Sequence, residues 1–272
     1  ELATEPRGCA FFSSRPQAQL RRRLVVESAL RGAVERRELQ LVYQPRVDIG
    51  SFDLAGVECR VRWDRPEFGA ISEAQFVAIA EDAGIIAEIG RWTMAEASRQ
   101  LAAWRERYGR SFFAAVAVTA RQLRDPGLAA AVQATIERHR LPPEALQIEV
   151  PESALPDATD AARPALEDLR SRGVRIGIDG YGSGRSTLGQ IRRVPFNSMK
   201  LDRSLVSDLC TDPWAQGVAA AVLAMARAMQ LRSVADGIRV GATLEMLRAL
   251  GCDEVQGQHV APAMPARDFE VW

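Results

Sequence analysis

Two runs, LVYQPRV (Leu41–Val47) and LAGVECRV (Leu54–Val61), separated only by DIGSFD (Asp48–Asp53), decide the fold of this chain. Both runs carry the β-branched and aromatic residues that suit a pleated, half-buried surface. The segment between them holds Gly50, Ser51 and two aspartates and is too short for a helix, so it reads as the turn of a hairpin. Downstream the pattern changes to alternation. Strand-like runs recur at Phe112–Val118, Leu146–Val150, Val174–Ile178, Ser198–Leu201, Ser233–Ala235 and Glu254–Gln256. Helical periodicity appears at Ser72–Ala83, Trp92–Tyr108, Gly127–Arg138, Ala161–Ser171, Pro213–Met229 and Gly241–Leu250. About eight strands in a βα rhythm over roughly 230 residues fit a (β/α)8 barrel of the TIM type. An open doubly wound sheet would want a glycine-rich phosphate turn after its first strand, and none is present.

Upstream of the hairpin the chain divides in two. Residues 1–15 are polar and without period, and are expected to be a tail or the end of a preceding domain. Residues 16–38 are expected to form a connector, with Gln17–Arg37 an amphipathic helix whose apolar positions include Leu20, Leu24, Val25, Leu30 and Val34. Its Arg21-Arg22-Arg23 run reads as a solvated face. Residues 39–272 form the barrel domain. The chain opens at Glu1 without an initiator methionine, which suggests a piece of a longer protein.

Thirty-five Lys and Arg balance 35 Asp and Glu, a neutrality that argues against nucleic acid as a partner. The 47% apolar content suffices for a large core. No apolar run reaches the roughly 18 to 20 residues needed to span a bilayer, and Val218–Met229 is broken by Arg227, so direct membrane insertion is not expected. No signal peptide is read at the start. Cys9, Cys59, Cys210 and Cys252 are scattered without metal-finger spacing, and His139 and His259 cannot build a three-histidine site. A reducing cytoplasm is the expected compartment.

In a barrel, chemistry gathers where strands end. At or near those ends stand Glu58, Arg62, Thr119, Glu149, Asp179, Lys200, Asp202, Asp236 and Gln256. Several carboxylates and a lysine converging on one mouth are costly unless paired. Such a cluster usually needs a cation, and oxygen donors without histidine favour Mg2+, Mn2+ or Ca2+ over zinc.

The segments Tyr43-Gln44-Pro45, Glu58-Cys59-Arg60-Val61-Arg62-Trp63, Ala120-Arg121-Gln122, Glu149-Val150-Pro151-Glu152-Ser153, Lys200-Leu201-Asp202-Arg203 and Gly251-Cys252-Asp253-Glu254-Val255-Gln256-Gly257 resemble, in order and spacing, the EAL domain. That family comprises cyclic di-GMP phosphodiesterases and their inactive relatives. The resemblance implies a modified TIM barrel with an antiparallel first strand, in agreement with the hairpin. For active members it implies two divalent ions held by carboxylates and an asparagine, activating the water that cleaves a phosphodiester.

Residue by residue, the resemblance implies metal binding for Glu58, Glu149 and Asp179, and contact with the reacting water or phosphate for Lys200. Gln256 matches a supporting site glutamine and Gln44 a glutamine beside the ligand. Arg62 matches the arginine that holds ligand phosphate, Asp236 a site glutamate, and Glu152 a glutamate bracing the loop after Asp179. The departures fall on the metal set. Ala117 stands for the metal-binding asparagine, and Gly180 for the second aspartate of an Asp-Asp pair. Asp236 is one methylene shorter than the family's glutamate, Arg239 replaces another glutamate, and Arg60 replaces the leucine of the name-giving triplet. The expected function is a degenerate EAL domain, without turnover, that receives cyclic di-GMP or transmits its signal to another signalling domain. Lys200 and Glu58 would then be catalytic vestiges, and Glu58, Glu149 and Asp179 a remnant retaining at most weak Mg2+ or Mn2+ binding. Two alternatives stand beside it: a ligand-free protein scaffold, and a phosphodiesterase with an altered metal site. Homodimerisation is a further expectation from the resemblance.

Overall fold

The computed structural model describes residues 14–69, 71–184 and 186–272, with the side chains of 14–20 and 156–161 not described. Of the expected tail, residues 1–13 lie outside the described residues. The strands are β1 (Leu39–Asp48), β2 (Leu54–Trp63), β3 (Phe113–Ala117), β4 (Leu146–Pro151), β5 (Arg175–Tyr181), β6 (Ser198–Leu201), β7 (Arg232–Ala235), β8 (Glu254–Val255) and β9 (Met264–Pro265). Strands β2 to β8 follow one another around a ring that β1 closes, and β9 adds to β1. β1 runs antiparallel to β2, with Gln44 opposite Glu58, and antiparallel to β8, with Val47 opposite Val255. The other neighbours in the ring are parallel. The inverted strand follows from the hairpin: Asp48 accepts hydrogen bonds from the backbone N–H of Gly50 and Ser51 and turns the chain straight back.

Period-two alternation sorts the strand residues. Val57, Cys59, Val116, Ile148, Val150, Ile176, Ile178 and Met199 face outward and are buried under the helices, with Trp104 and Leu101 among the largest covering side chains. The interior is polar. Gly56 makes room for the Phe113 ring, since a Cβ there would lie 2.6 Å from it. The guanidinium carbons of Arg46 and Arg175 sit 5.5 and 4.7 Å from that ring's centroid. Above this plug, a Cβ on Gly177 would meet Ser198 Oγ at 2.8 Å and Gln147 Nε2 at 2.9 Å, so glycine lets the polar layer close.

Reciprocal Ser/Thr–Gln capping boxes at Ser72–Gln75, Thr119–Gln122 and Thr187–Gln190 start three of the helices. Asp202, one of the polar residues at strand ends, is the N-cap of Arg203–Ser207.

Several boundaries differ from expectation. The first helix runs Ser14–Leu30 and not to Arg37, because Gly32 turns left-handed at φ 74° and Arg36 bonds back to the carbonyls of Ala29 and Arg31. Its buried face carries Val26 and Leu30, continued by Ala33 in the turn, while Leu24 and Val25 are exposed. The helix expected at Trp92 begins at Ile86. The one expected at Ala161 begins at Leu155, its start hidden in sequence by Pro156, which the first turn tolerates. β9 and the short helices Leu188–Arg193 and Ala266–Val271 have no signature in the sequence, because each is too brief to show a period.

Candidate functional site

The barrel brings Glu58 of β2, Glu149 of β4, Asp179 of β5 and Lys200 of β6 to one point. Lys200 Nζ lies 3.0 Å from Glu58 Oε2, 2.6 Å from Glu149 Oε2 and 3.0 Å from Asp179 Oδ1. Each remaining oxygen of the two glutamates is also engaged. Arg60 Nε donates to Glu58 Oε1 at 3.0 Å, and Gln256 Nε2 donates to Glu58 Oε2. Arg46 donates to Glu149 Oε1 at 2.5 Å and Gln147 to the same atom at 3.1 Å, while Arg46 Nε donates to Gln256 Oε1 at 3.1 Å. Glu58, Glu149, Lys200, Arg46 and Gln256 are all buried.

The electrostatics follow from that pairing. Burial alone would push Glu58 and Glu149 up, but Lys200 and Arg46, with Arg60 at Glu58, hold both below the usual carboxylate range. Burial would also discharge Lys200, and the three carboxylates hold its ammonium protonated instead. Asp179 behaves differently. Burial, aided by Glu149 and Glu58 and opposed by Lys200, pushes its carboxyl up to about 6.

Across the mouth, Asp236 Oδ2 accepts from Arg203 Nε at 2.6 Å and lies 3.8 Å from an Arg60 nitrogen, while Asp236 Oδ1 is buried without a partner. Gln44 donates to the Ala261 carbonyl at 3.1 Å and its own Oε1 is buried without a partner. A cavity of about 710 Å3 opens beside them, lined by Gln44, Arg60, Arg203, Asp236, Arg239 and Gly257 among others. Arg62 is exposed and ion-paired to Asp64 at 2.7 Å, outside that lining. Glu152 is buried at the loop after β5, where it accepts from the N–H groups of Gly182 (2.9 Å) and Gly184 (2.6 Å) and from Ser186 Oγ. Ala117 ends β3 with an exposed methyl, and Gly180 adopts φ 69° on the loop. Among the described residues no group of three or more His, Cys, Asp or Glu is disposed to hold a metal ion.

Arg46, Gln147 and Arg203 were missed from sequence. Arg46 had a signal: it shares a strand face with Gln44, two residues away. Arg203 lies in the Lys200-Leu201-Asp202-Arg203 segment, where nothing in the sequence reveals that it reaches Asp236.

An α/β barrel with one inverted strand and an acid–lysine cluster at its carboxyl-end mouth is the class that fold and site define. The EAL domain family profile matches residues 27–263, and the chain belongs to that family. It is 37% identical over 262 residues to the bifunctional diguanylate cyclase/cyclic di-GMP phosphodiesterase MucR of Pseudomonas aeruginosa, covering 96% of this chain and 38% of that protein. Against the cyclic di-GMP phosphodiesterase PdeR of Escherichia coli it is 32% identical, covering 92% of this chain and 37% of the relative. It thus spans under half the length of these relatives. The solved PaMucR phosphodiesterase in complex with c-di-GMP superposes with TM-score 0.84 at 37% identity, covering 88% of this chain and 97% of the other. No helix among the described residues is long and apolar enough to cross a membrane.

Proposed function

We propose that this chain is a catalytically degenerate EAL domain that binds cyclic di-GMP without hydrolysing it and passes the binding signal to an attached domain. The observation that carries this reading is the shortened donor set: Ala117 and Gly180 stand where the family pattern has a metal-binding asparagine and aspartate. The three carboxylates that remain, Glu58, Glu149 and Asp179, are neutralised by the Lys200 ammonium at 2.6 to 3.0 Å from each. A pair of divalent ions would need the oxygens that Ala117 and Gly180 do not carry. The donor set as folded does not fit a binuclear centre. Binding needs less: donors for phosphate and polar partners for bases, which Gln44, Asp236 and the arginines of the cavity supply. The likeness to a barrel solved with c-di-GMP supports the choice of ligand. The longer relatives support a transmitting role, with the Ser14–Leu30 helix as the connector.

Calorimetric titration of the chain with cyclic di-GMP, in Mg2+ and again in EDTA, tests the proposal, with chromatography of the mixture for linear dinucleotide. Equal binding in both buffers with no product is the expected result. No binding in either buffer would leave a protein scaffold, and Mg2+-dependent product would leave an active phosphodiesterase.

A further inference from the structure

We propose that Arg60 is a built-in counter-cation that has taken over the charge a divalent ion would supply at this mouth. This deepens the preceding reading and shares its site. The guanidinium spans two carboxylates on opposite sides of the mouth, 3.0 Å from Glu58 on its own strand and 3.8 Å from Asp236 just beyond β7. The pairing reaches further than one residue. Glu58, Glu149, Asp179 and Asp236 are matched one for one by Arg60, Arg46, Lys200 and Arg203. The four acids and four bases therefore cancel with no ion present. Adding a divalent ion would leave two excess positive charges in a largely buried cluster, where uncompensated charge is strongly unfavourable. Removing the Arg60 charge reverses the balance, leaving one net negative charge and an unpaired Glu58 oxygen at the edge of the cavity.

Arg60 also faces the cavity and spends one of its N–H donors on Glu58. Arg239, exposed on the same lining, makes no ion pair among the described residues. The mouth thus presents guanidinium groups where a metal-bound ligand would find ions. An anionic phosphodiester binds there by direct charge-assisted hydrogen bonds, independent of metal.

The test uses Mn2+ alone as its probe, so it does not depend on the dinucleotide. Mn2+ binding is measured by calorimetry and by the paramagnetic resonance of free Mn2+, for the full chain and for Arg60→Leu and Arg60→Gln. The parent is expected to bind no Mn2+ at millimolar concentration, and both variants to bind at least about tenfold more tightly than the parent. Parent affinity equal to that of the variants would overturn the proposal, as would folded variants that bind no better than the parent. Should the neutral variants unfold in EDTA, Mn2+ is expected to restore their circular dichroism, and failure to restore it would also overturn the proposal. A cyclic di-GMP titration in EDTA separates the two claims. Loss of dinucleotide binding in the parent sinks the receptor reading, while the Mn2+ result alone decides the role of Arg60.

Discussion

Arg46 and Glu149 form an ion pair of 2.5 Å between the inverted strand and β4, with both side chains almost wholly removed from solvent. The pair pins β1 across the barrel to the acid–lysine cluster, and Arg46 continues to Gln256, the residue just past the strand that β1 closes against. A buried pair of this kind adds little net stability over apolar packing, yet it is costly to break from one side.

Arg46→Met removes the cation and leaves Glu149 Oε1 with Gln147 as its one remaining donor. The expected cost is about 3–5 kcal/mol of unfolding free energy, read from urea denaturation followed by circular dichroism. A loss below about 1 kcal/mol would show that Lys200 alone carries Glu149 and that the barrel interior is wetter than its burial implies.

Glu152 governs the loop that follows Asp179. Glu152→Gln exchanges a charged acceptor of two backbone N–H groups for a neutral amide oxygen that holds them more weakly, and its NH2 cannot accept from Ser186 Oγ. Hydrogen bonds to a charged group contribute about 1.5–3 kcal/mol, so amide exchange at Gly182 and Gly184 is expected to quicken by about ten- to a hundredfold. Exchange in the β1–β2 hairpin should be unaltered. Gly184→Ala tests the same bond from the other side, since its Cβ would lie 2.7 Å from Glu152 Oε2.

Asp179 gives the site a pH signature in metal-free buffer. Its carboxyl is pushed up to about 6 in the folded chain against an ordinary value of 3.8. The folded chain therefore holds this proton more tightly than the unfolded one, and the cost of ionising it is absent below pH 3.8 and complete above about 6. The stability of the parent relative to Asp179→Asn is expected to fall as pH rises through that window. A difference that stays flat or rises between those values would mean that Lys200, and not burial, dominates the environment of Asp179.

The fold was legible because its signals are long or punctuated. A six-residue gap between two strand-like runs leaves no room for a crossover helix, so the inversion of β1 could be read from Leu41–Val61 alone. The residues of the cluster were also legible, since Glu149, Lys200 and Gln256 sit at or near strand ends and Glu58 opens the motif on β2. Their partners were not. Whether Lys200 faces a metal or neutralises the carboxylates depends on what crosses the barrel to meet it, and strand patterning carries no information on distances between non-adjacent strands. Arg62 illustrates the same gap: its motif position is clear, yet its side chain stands in solvent beside Asp64.

Three substitutions test whether the departures from the family pattern are what silences the site. Gly180→Asp is sterically open, because the nearest atoms to a new Cβ are Asp202 Oδ2 at 3.7 Å and Ser183 Oγ at 3.8 Å. Its left-handed backbone costs aspartate about 1–2 kcal/mol. Ala117→Asn adds an oxygen at an exposed strand end, and Arg60→Leu frees Glu58. Each change alone leaves the ion short of ligands or in competition with a guanidinium, so single variants are expected to release no linear dinucleotide. Groups that act as a unit are strongly non-additive, and the triple variant is the one expected to gain Mg2+-dependent turnover, read by chromatography of the product. A triple variant that binds Mn2+ yet stays silent would move the fault to Asp236 and Arg239. There a shortened carboxylate and a reversed charge would misplace the phosphodiester even over a rebuilt centre, since displacement by about an ångström suffices to lose some hundredfold in rate.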